Sequence, residues 1–124
     1  MDAQALRFPP APRVVLVVEI RWMPPKSDKP ITLDDVKAAV ARYYNVGVSD
    51  LRAGNRNKTA VRARAVAMTV IHRRGNSYAA IAPWFGFADH TTVRHHILRL
   101  VGRLGADEAE LIERLAPEIE HETA

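Results

Sequence analysis

The sequence predicts a small all-α helix-turn-helix domain with an N-terminal extension that can form a short strand. Three observations support this fold class. The 124 residues are enough for one domain and little more. Apolar residues recur three and four positions apart in several stretches after residue 31, which is the period of a buried helix face. A glycine turn separates two of these stretches at residues 85–89.

The first predicted helix begins after Thr32 and ends near Tyr44. Thr32 is a good N-cap, and Asp35 lies at the third helical position, where its carboxylate can complete a capping box. We expect Gly47 to close this helix and Ser49 to cap a short turn after it. This part of the chain is expected to be scaffold.

A loop at residues 52–58 precedes a long helix predicted over residues 60–74. Thr59 is expected to cap this helix, and Gly75, which can take a positive φ without steric cost, should stop it. The loop and the first turn carry cations at positions 56, 58, 62 and 64. A helix N-terminus favours phosphate, but on these residues alone a solvated basic loop is the simpler interpretation.

The helix-turn-helix itself is predicted over residues 77–104. Ser77 can cap its first helix, and Pro83 should tighten or kink that helix because proline lacks a backbone donor. Gly86 can make the turn, and Asp89 can cap the second helix. The two faces of the second helix are apolar (Val93, Ile97, Leu100, Val101, Leu104) and polar or basic (His90, Thr91, Arg94, His95, Arg99).

The first turn of the second helix has side chains that can read base edges. Asp89 can accept from the cytosine amino group, and His90 can donate to guanine N7 or O6. The methyl groups of Thr91 and Thr92 can pack on thymine methyls, and their hydroxyls can reach a base or a phosphate. Recognition helices use their N-terminal residues in this way. The alternative is that Asp89 is only a cap, and these residues alone leave both interpretations open.

The charge is unevenly distributed along the chain. Residues 49–104 contain ten Lys/Arg and two Asp/Glu, a net +8, whereas residues 105–124 contain one Arg and seven Asp/Glu, a net −6. The first 48 residues contribute +2, which completes the total of +4. A basic central block favours a polyanionic partner. The acidic end is expected to lie away from that partner.

Three motifs occur in order at separated positions: ITLDDV at 31–36 with Tyr43-Tyr44, NKTAVRAR at 57–64 with Ala67-Met68, and DHTTV at 89–93. With these motifs, residues 31–104 resemble the C-terminal DNA-binding domain of the bacterial chromosomal replication initiator DnaA. The resemblance implies a Trp-repressor-like helix-turn-helix that binds double-stranded DNA at sites like the DnaA box.

The resemblance also implies roles for individual residues. The base-reading residues would be Asp89, His90, Thr91 and Thr92 in the major groove and Arg56 in the minor groove. The resemblance implies that Arg62 and Arg64 hold the DNA backbone. Together with other basic and polar side chains of the domain, they complete the expected set of phosphate-binding residues: Lys58, Arg62, Arg64, Arg94, Ser77 and His72. An arginine suits a narrow A·T-rich minor groove because the potential there is most negative.

Two positions depart from the family pattern. A second glycine and an arginine usually precede the Asp-His pair, but Phe87 and Ala88 stand there in this chain. The substitution removes one expected phosphate contact, which Arg94 or His72 could replace. Phe87 can pack under the turn or touch a sugar.

Residues 1–30 form an extension and linker outside the resemblance. Arg13–Trp22 (RVVLVVEIRW) is β-branched and bounded by prolines, which favours a strand. A lone strand needs a partner. One hypothesis is pairing with a second copy of the chain in a homodimer, and the other is packing on the domain as a helical turn.

Residues 105–124 are predicted to form an acidic C-terminal helix capped by Asp107. Its apolar stripe is Leu111, Ile112, Leu115 and Ile119. The preferred interpretation is a helix that covers the core of the domain. The alternatives are a docking surface for another protein, or a DNA mimic that competes for the basic face.

Other chemistry finds little support in the sequence. The chain lacks cysteine, and His90, His95 and His96 are not spaced to share a helix face, so we expect no metal site. The GxxxxGK[ST] motif is absent, so we expect no ATPase activity, no cofactor and no enzyme function. No signal peptide or membrane span is predicted, which favours a cytoplasmic, nucleoid-associated protein.

The predicted function is site-specific binding of double-stranded DNA, which would regulate replication initiation or transcription. The alternative is a protein-interaction module, an adaptor or inhibitor, that uses the N-terminal strand or the acidic C-terminal helix. The three predicted segments are residues 1–30, 31–104 and 105–124.

Overall fold

The computed structural model describes residues 22–26 and 31–116. This part of the chain is all-α, as predicted. It forms five α-helices and one 3-10 helix: α1 (Leu33–Tyr44), the 3-10 helix (Val48–Leu51), α2 (Lys58–Arg73), α3 (Tyr78–Trp84), α4 (His90–Val101) and α5 (Ala106–Leu115). The predicted strand and its homodimer contact lie outside the described residues, except for Trp22.

Helix α1 begins as predicted but ends differently. The Thr32 hydroxyl accepts from the Asp35 N–H and the Asp35 carboxylate accepts from the Thr32 N–H, both at 3.1 Å. The helix is closed by Asn45, which takes φ of 58°, and not by Gly47. Asparagine tolerates this left-handed conformation better than most residues. Gly47 instead precedes the 3-10 helix, and its N–H donates to the Asp50 carboxylate, so the predicted Ser49 cap is wrong.

Helix α2 begins two residues before its predicted start. The Asn57 side chain accepts from the Thr59 and Ala60 N–H groups at 2.9 and 3.3 Å, so Asn57 is the N-cap and Thr59 is not. Asparagine is among the best N-caps. Because Asn57 lies two residues before Thr59, the helix begins two residues earlier than predicted. Gly75 takes φ of 106° just after the helix, as predicted.

Helix α2 lies at the centre of the fold. Its residues 63–71 are all buried, and it packs against α1, α3, α4 and α5. The largest fully buried side chains in this core are Met68 of α2 itself and, from other parts of the chain, Phe85, Leu51, Ile81, Leu111 and Ile112. The other helices are therefore arranged around one long helix whose middle is buried and whose ends reach the surface.

Helices α3 and α4 form the predicted helix-turn-helix. The Ser77 hydroxyl accepts from the Ala80 N–H at 3.1 Å, and Pro83 lies in the short last turn of α3. Gly86 follows with φ of 85°, and the Phe87 N–H donates to the Ala82 carbonyl at 2.8 Å. The positive φ at Gly86 reverses the chain so that α4 packs against α3.

Helix α5 covers the core, as the preferred interpretation expected. Leu111, Ile112 and Leu115 are buried, and α5 packs on α2. The predicted cap is wrong: the helix begins after Gly105, whose N–H donates to the Glu108 carboxylate at 3.1 Å. Asp107 lies inside the first turn, where a negative charge still suits the helix dipole.

The short N-terminal piece lies against the domain. The Arg42 guanidinium carbon is 4.3 Å from the centre of the Trp22 ring, and Arg114 of α5 donates to the Pro24 carbonyl at 3.0 Å. Residues 22–26 thus contact both the first and the last helix. None of the helices in the described ranges is long and apolar enough to cross a bilayer.

Candidate nucleic-acid interface

The first turn of α4 presents its polar side chains to solvent. Asp89, His90 and Thr91 are exposed, and Thr92 is half-buried. One Asp89 carboxylate oxygen accepts from the Thr91 N–H at 3.0 Å, so Asp89 is a cap. Its side chain is nevertheless 59% exposed. The same carboxylate can therefore cap the helix and face a ligand.

In this turn a charged hydrogen-bond acceptor, the Asp89 carboxylate, lies beside the His90 imidazole. The hydrogen bonds from Thr91 lower the pKa of Asp89, so the carboxylate remains ionised at neutral pH. The His90 Nδ1 lies 3.7 Å from the nearest Asp89 carboxylate oxygen. An anionic acceptor and an imidazole thus lie side by side at the helix N-terminus.

Exposed cations lie on the elements next to this turn. Arg56 and Lys58 are exposed at the start of α2, and Arg94 and Arg99 are exposed along α4. Ser77 is exposed at the start of α3. These side chains are accessible to a polyanion without any rearrangement of the domain.

His72 is less accessible than the sequence suggested. Its ring stacks on Tyr78 with centroids 4.3 Å apart, and its Nδ1 lies 2.9 Å from the Asn76 carbonyl oxygen. These contacts connect the end of α2 to the start of α3. The other ring nitrogen, Nε2, is the atom that remains for an outside partner.

Arg62 is held by the acidic helix. Its Nε donates to the Glu108 carboxylate at 2.8 Å, and one of its terminal nitrogens donates to the Arg103 carbonyl at 2.7 Å. The Tyr44 hydroxyl donates to the same carboxylate. The Arg62 hydrogen bond is the main cause that lowers the pKa of Glu108 to about 2. Arg62 could hold a phosphate only by leaving or sharing this ion pair.

Arg64 is buried, with 4% of its surface exposed. Its Nη1 donates to the Arg52 carbonyl at 2.7 Å and to the Asn55 carbonyl at 3.1 Å. The expectation that Arg64 holds a phosphate does not fit this placement. The physical reason is that its position on α2 turns it under the loop at residues 52–57, whose free carbonyls it satisfies.

Phe87 packs under the turn, which was one of the two expected placements. Its ring lies 5.4 Å from the guanidinium carbon of Arg64 and 5.5 Å from the His96 ring centre. Burial lowers the pKa of His96, and the Arg64 charge lowers it further. The neutral imidazole therefore belongs to a packed cluster of Phe87, Arg64 and His96.

Sequence reasoning missed this cluster and the cap at Asn57. The large side chain at position 87, where the family usually has glycine, was the available signal for the cluster. The signal for the cap was an asparagine immediately before the α2 sequence. Within residues 22–26 and 31–116, no group of three His, Asp or Glu side chains could hold a metal ion.

Comparison with known proteins places residues 33–99 in the family described as the bacterial dnaA protein helix-turn-helix. The chromosomal replication initiator protein DnaA of Rhodopseudomonas palustris (strain BisB18) is 38% identical over 96 residues, which cover 73% of this chain and 20% of that protein. DnaA of Xanthobacter autotrophicus is 36% identical over 100 residues, covering 76% and 20%, respectively.

DnaA of Brucella suis (biovar 1) is 38% identical over 93 residues, covering 70% of this chain and 19% of that protein. The chain thus spans about a fifth of the length of the curated relatives it matches. No significant match to a solved structure was found.

Proposed function

The chain belongs to the bacterial DnaA helix-turn-helix family, a family of DNA-binding domains, and we propose that it reads DnaA-box-like sites in double-stranded DNA. One observation carries the proposal: an exposed Asp-His-Thr-Thr turn begins the second helix of a helix-turn-helix. In this class of fold, that turn is the part that enters the major groove.

The base contacts follow from the side chains of this turn. Asp89 accepts from a cytosine amino group, and His90 donates to guanine. The Thr91 and Thr92 methyl groups pack on thymine methyls. Each base pair in the groove thus faces one of three chemical groups. The carboxylate selects cytosine, the imidazole selects guanine, and the methyl groups select thymine.

The phosphate and minor-groove contacts come from the exposed cations. Arg56 enters the minor groove beside the recognition helix, and Lys58 and Arg94 hold phosphates. Ser77 donates to a phosphate from its exposed hydroxyl. His72 reaches a phosphate through Nε2. Arg62 reaches one when it leaves Glu108. Arg64, which is buried, does not contact the DNA itself and acts through the loop that it holds.

The biological role that fits these contacts is regulation of replication initiation or of transcription. The matched region lies in the DNA-binding part of the relatives, and no nucleotide-binding motif occurs in the sequence printed here. We therefore propose a non-enzymatic protein that acts at the nucleoid, where it competes for initiator sites or controls promoters that contain them.

A second candidate function is an adaptor that binds another protein through the acidic helix. The observation in its favour is the exposed acidic residues Asp107 and Glu110 on the outside of α5. The apolar stripe of α5 is buried in the domain, so only this charged face is open to a partner. A Glu110→Lys variant tests this surface without disturbing the core.

The test is fluorescence anisotropy with a duplex carrying a TTATCCACA-like box and with a scrambled duplex, over a series of salt concentrations. We expect a preference for the box that His90→Ala reduces by roughly 5- to 150-fold, since one base contact is worth roughly 1–3 kcal/mol. His95→Ala, in the second turn of the same helix, is the matched control. Equal, salt-dependent binding of wild type to both duplexes would contradict site-specific recognition.

A further inference from the structure

We propose that Arg64 is a positioning residue, which holds the loop at residues 52–57 beside the helix-turn-helix turn and so sets where Arg56 enters the DNA. The inference rests on the proposed function, because it concerns the DNA-binding surface of that proposal. It differs from what the family resemblance implies, which is that Arg64 itself holds the DNA backbone.

The guanidinium of Arg64 joins two points of the loop. Its Nη1 donates to the carbonyl oxygens of Arg52 and Asn55, which lie three residues apart in the chain. Because the group is buried, these charge-assisted hydrogen bonds form where water does not compete with them. One side chain thus fixes the curvature of the loop.

The same loop is bonded to the turn that precedes the recognition helix. The Ala53 N–H donates to the Phe85 carbonyl at 2.8 Å. A Cβ atom at Gly86 would lie 3.1 Å from a terminal nitrogen of Arg52, so the loop approaches the turn closely. The Phe87 ring then covers the guanidinium of Arg64 from the turn side. The guanidinium of Arg64, which projects from α2, therefore lies between the loop and the turn.

Arg56 lies between two residues whose positions are fixed. On one side, the Asn55 carbonyl accepts from Arg64. On the other side, Asn57 caps α2, and its own N–H donates to the Asn55 side chain at 2.9 Å. The Arg56 side chain is exposed, but its backbone is held. Holding the backbone in advance lowers the ordering cost of binding.

Direct phosphate binding by Arg64 would require the loop to open. The Nε–H of Arg64 is also buried and has no hydrogen-bond partner in the described part of the chain. A phosphate could reach the guanidinium only by displacing the loop carbonyls or the atoms that cover it. Exposed cations such as Lys58 and Arg94 need no such change.

The experiment uses an Arg64→Lys variant of the full chain. Lysine keeps the charge, but its ammonium ends one atom short of the arginine Nη1 and so cannot reach both loop carbonyls from the same backbone position. Binding is measured by anisotropy to a box duplex, to the same duplex with G·C pairs in the A·T-rich minor-groove segment, and to a scrambled duplex. Wild type should prefer the A·T form roughly tenfold. Arg64→Lys should lose most of that preference, as should Arg56→Ala, and keep its preference for the box core.

A second variant leaves Arg64 intact. Asn55→Ala removes the side chain that accepts from the Asn57 N–H and donates to Asp50 at 3.3 Å. Asn55→Ala should weaken the same A·T preference. This variant decides the question if thermal denaturation followed by circular dichroism shows that Arg64→Lys does not fold. Arg94→Gln is the control for a phosphate contact, and it should weaken all duplexes alike and reduce the salt slope by about 0.9.

Two results would overturn the proposal. One is that a folded Arg64→Lys protein keeps the full A·T preference or, where Arg64→Lys does not fold, that Asn55→Ala keeps it. The other is that Arg64→Gln reduces the salt slope by about 0.9 in an Arg56→Ala background, which would make Arg64 a direct phosphate contact. Failure of the proposed function is distinguishable, because wild type itself would then bind all three duplexes equally.

Discussion

At the residue scale, Asp89 shows how one side chain can serve stability and recognition together. One of its carboxylate oxygens caps α4 through the Thr91 N–H, and the side chain is still largely exposed. The cap explains why an acidic residue stands at a helix start, but it does not require a carboxylate, because asparagine caps equally well. This difference separates the two roles experimentally.

We predict that Asp89→Asn keeps the stability of the domain and changes its DNA preference. The amide oxygen can still accept from the Thr91 N–H, but the charge that favours the cytosine amino group is lost. Asp89→Ala should lose both, with a lower urea midpoint, because alanine has no oxygen to accept from the Thr91 N–H. Urea denaturation and anisotropy measure the two effects. Wild-type DNA binding by Asp89→Asn would mean that Asp89 is only a cap.

Gly86 is the second residue whose identity is set by geometry. It has φ of 85°, and an added Cβ would lie 3.1 Å from the Arg52 guanidinium. Both features disfavour any other residue at this turn, since L-residues rarely adopt this φ.

We predict that Gly86→Ala lowers the free energy of unfolding by about 1 kcal/mol or more. Gly54→Ala is the matched control, because φ at Gly54 is not positive and an added Cβ meets nothing within 4 Å. That control should be neutral or stabilising. Equal urea midpoints for the two variants would contradict the role of Gly86.

At the scale of elements, helix α5 couples the stability of the fold to one of its basic residues. Glu108 accepts from Arg62 and from the Tyr44 hydroxyl, and its carboxylate also closes the first turn of its own helix at Gly105. Burial raises the pKa of Tyr44, and the hydrogen bond to Glu108 raises it further, so the phenol remains a donor. One carboxylate thus joins α1, α2 and α5.

We predict that Glu108 makes the domain sensitive to acid. Its pKa is lowered from an ordinary 4.5 to about 2, so its contribution is present above the unfolded-state value and is lost as the pH falls between these values. Glu108→Gln should cost on the order of 2 kcal/mol at neutral pH and flatten the stability profile in that window.

The control for that measurement is Glu110→Gln. Glu110 pairs with Arg114 on the surface of the same helix, and such exposed pairs contribute only about 0–1 kcal/mol. Urea titrations at several pH values compare the two variants. A Glu108→Gln protein with the wild-type pH profile would show that another group causes the acid sensitivity.

At the scale of the whole molecule, charge is distributed unevenly along the chain. Residues 49–104 carry a net +8 and residues 105–124 a net −6. Part of the basic charge is bound by other groups of the protein. Arg62 forms an ion pair with Glu108, and Arg64 donates hydrogen bonds to loop carbonyls. Fewer cations are therefore available to DNA than the sequence suggests.

We predict a salt dependence that reflects only the exposed cations. Three or four phosphate contacts give a slope of log affinity against log salt of about −2.7 to −3.6. Glu108→Gln, which releases Arg62, should increase affinity for every duplex and steepen this slope by up to about 0.9. Anisotropy titrations at several salt concentrations measure it. A slope unchanged by Glu108→Gln would show that Arg62 does not contact phosphate.

Sequence alone determined the features that depend on neighbours in the chain. The caps at Thr32, Ser77 and Asp89 and the turn at Gly86 follow from side chains that bond to backbone within three residues, or from the φ of one residue. Together with the apolar period, they were sufficient to predict the all-α class and the helix-turn-helix. Where two good caps stood close together, as at Asn57 and Thr59, sequence selected the wrong one.

Only the tertiary structure decided which cations are free. Arg62 and Arg64 lie two residues apart and look alike in the sequence, but one pairs with Glu108, 46 residues away, and the other is covered by Phe87. The availability of a charge depends on partners that folding brings together from distant positions, and no local pattern contains them. Sequence therefore determined the architecture of this DNA-binding domain, and packing determined which basic residues remain exposed to a ligand.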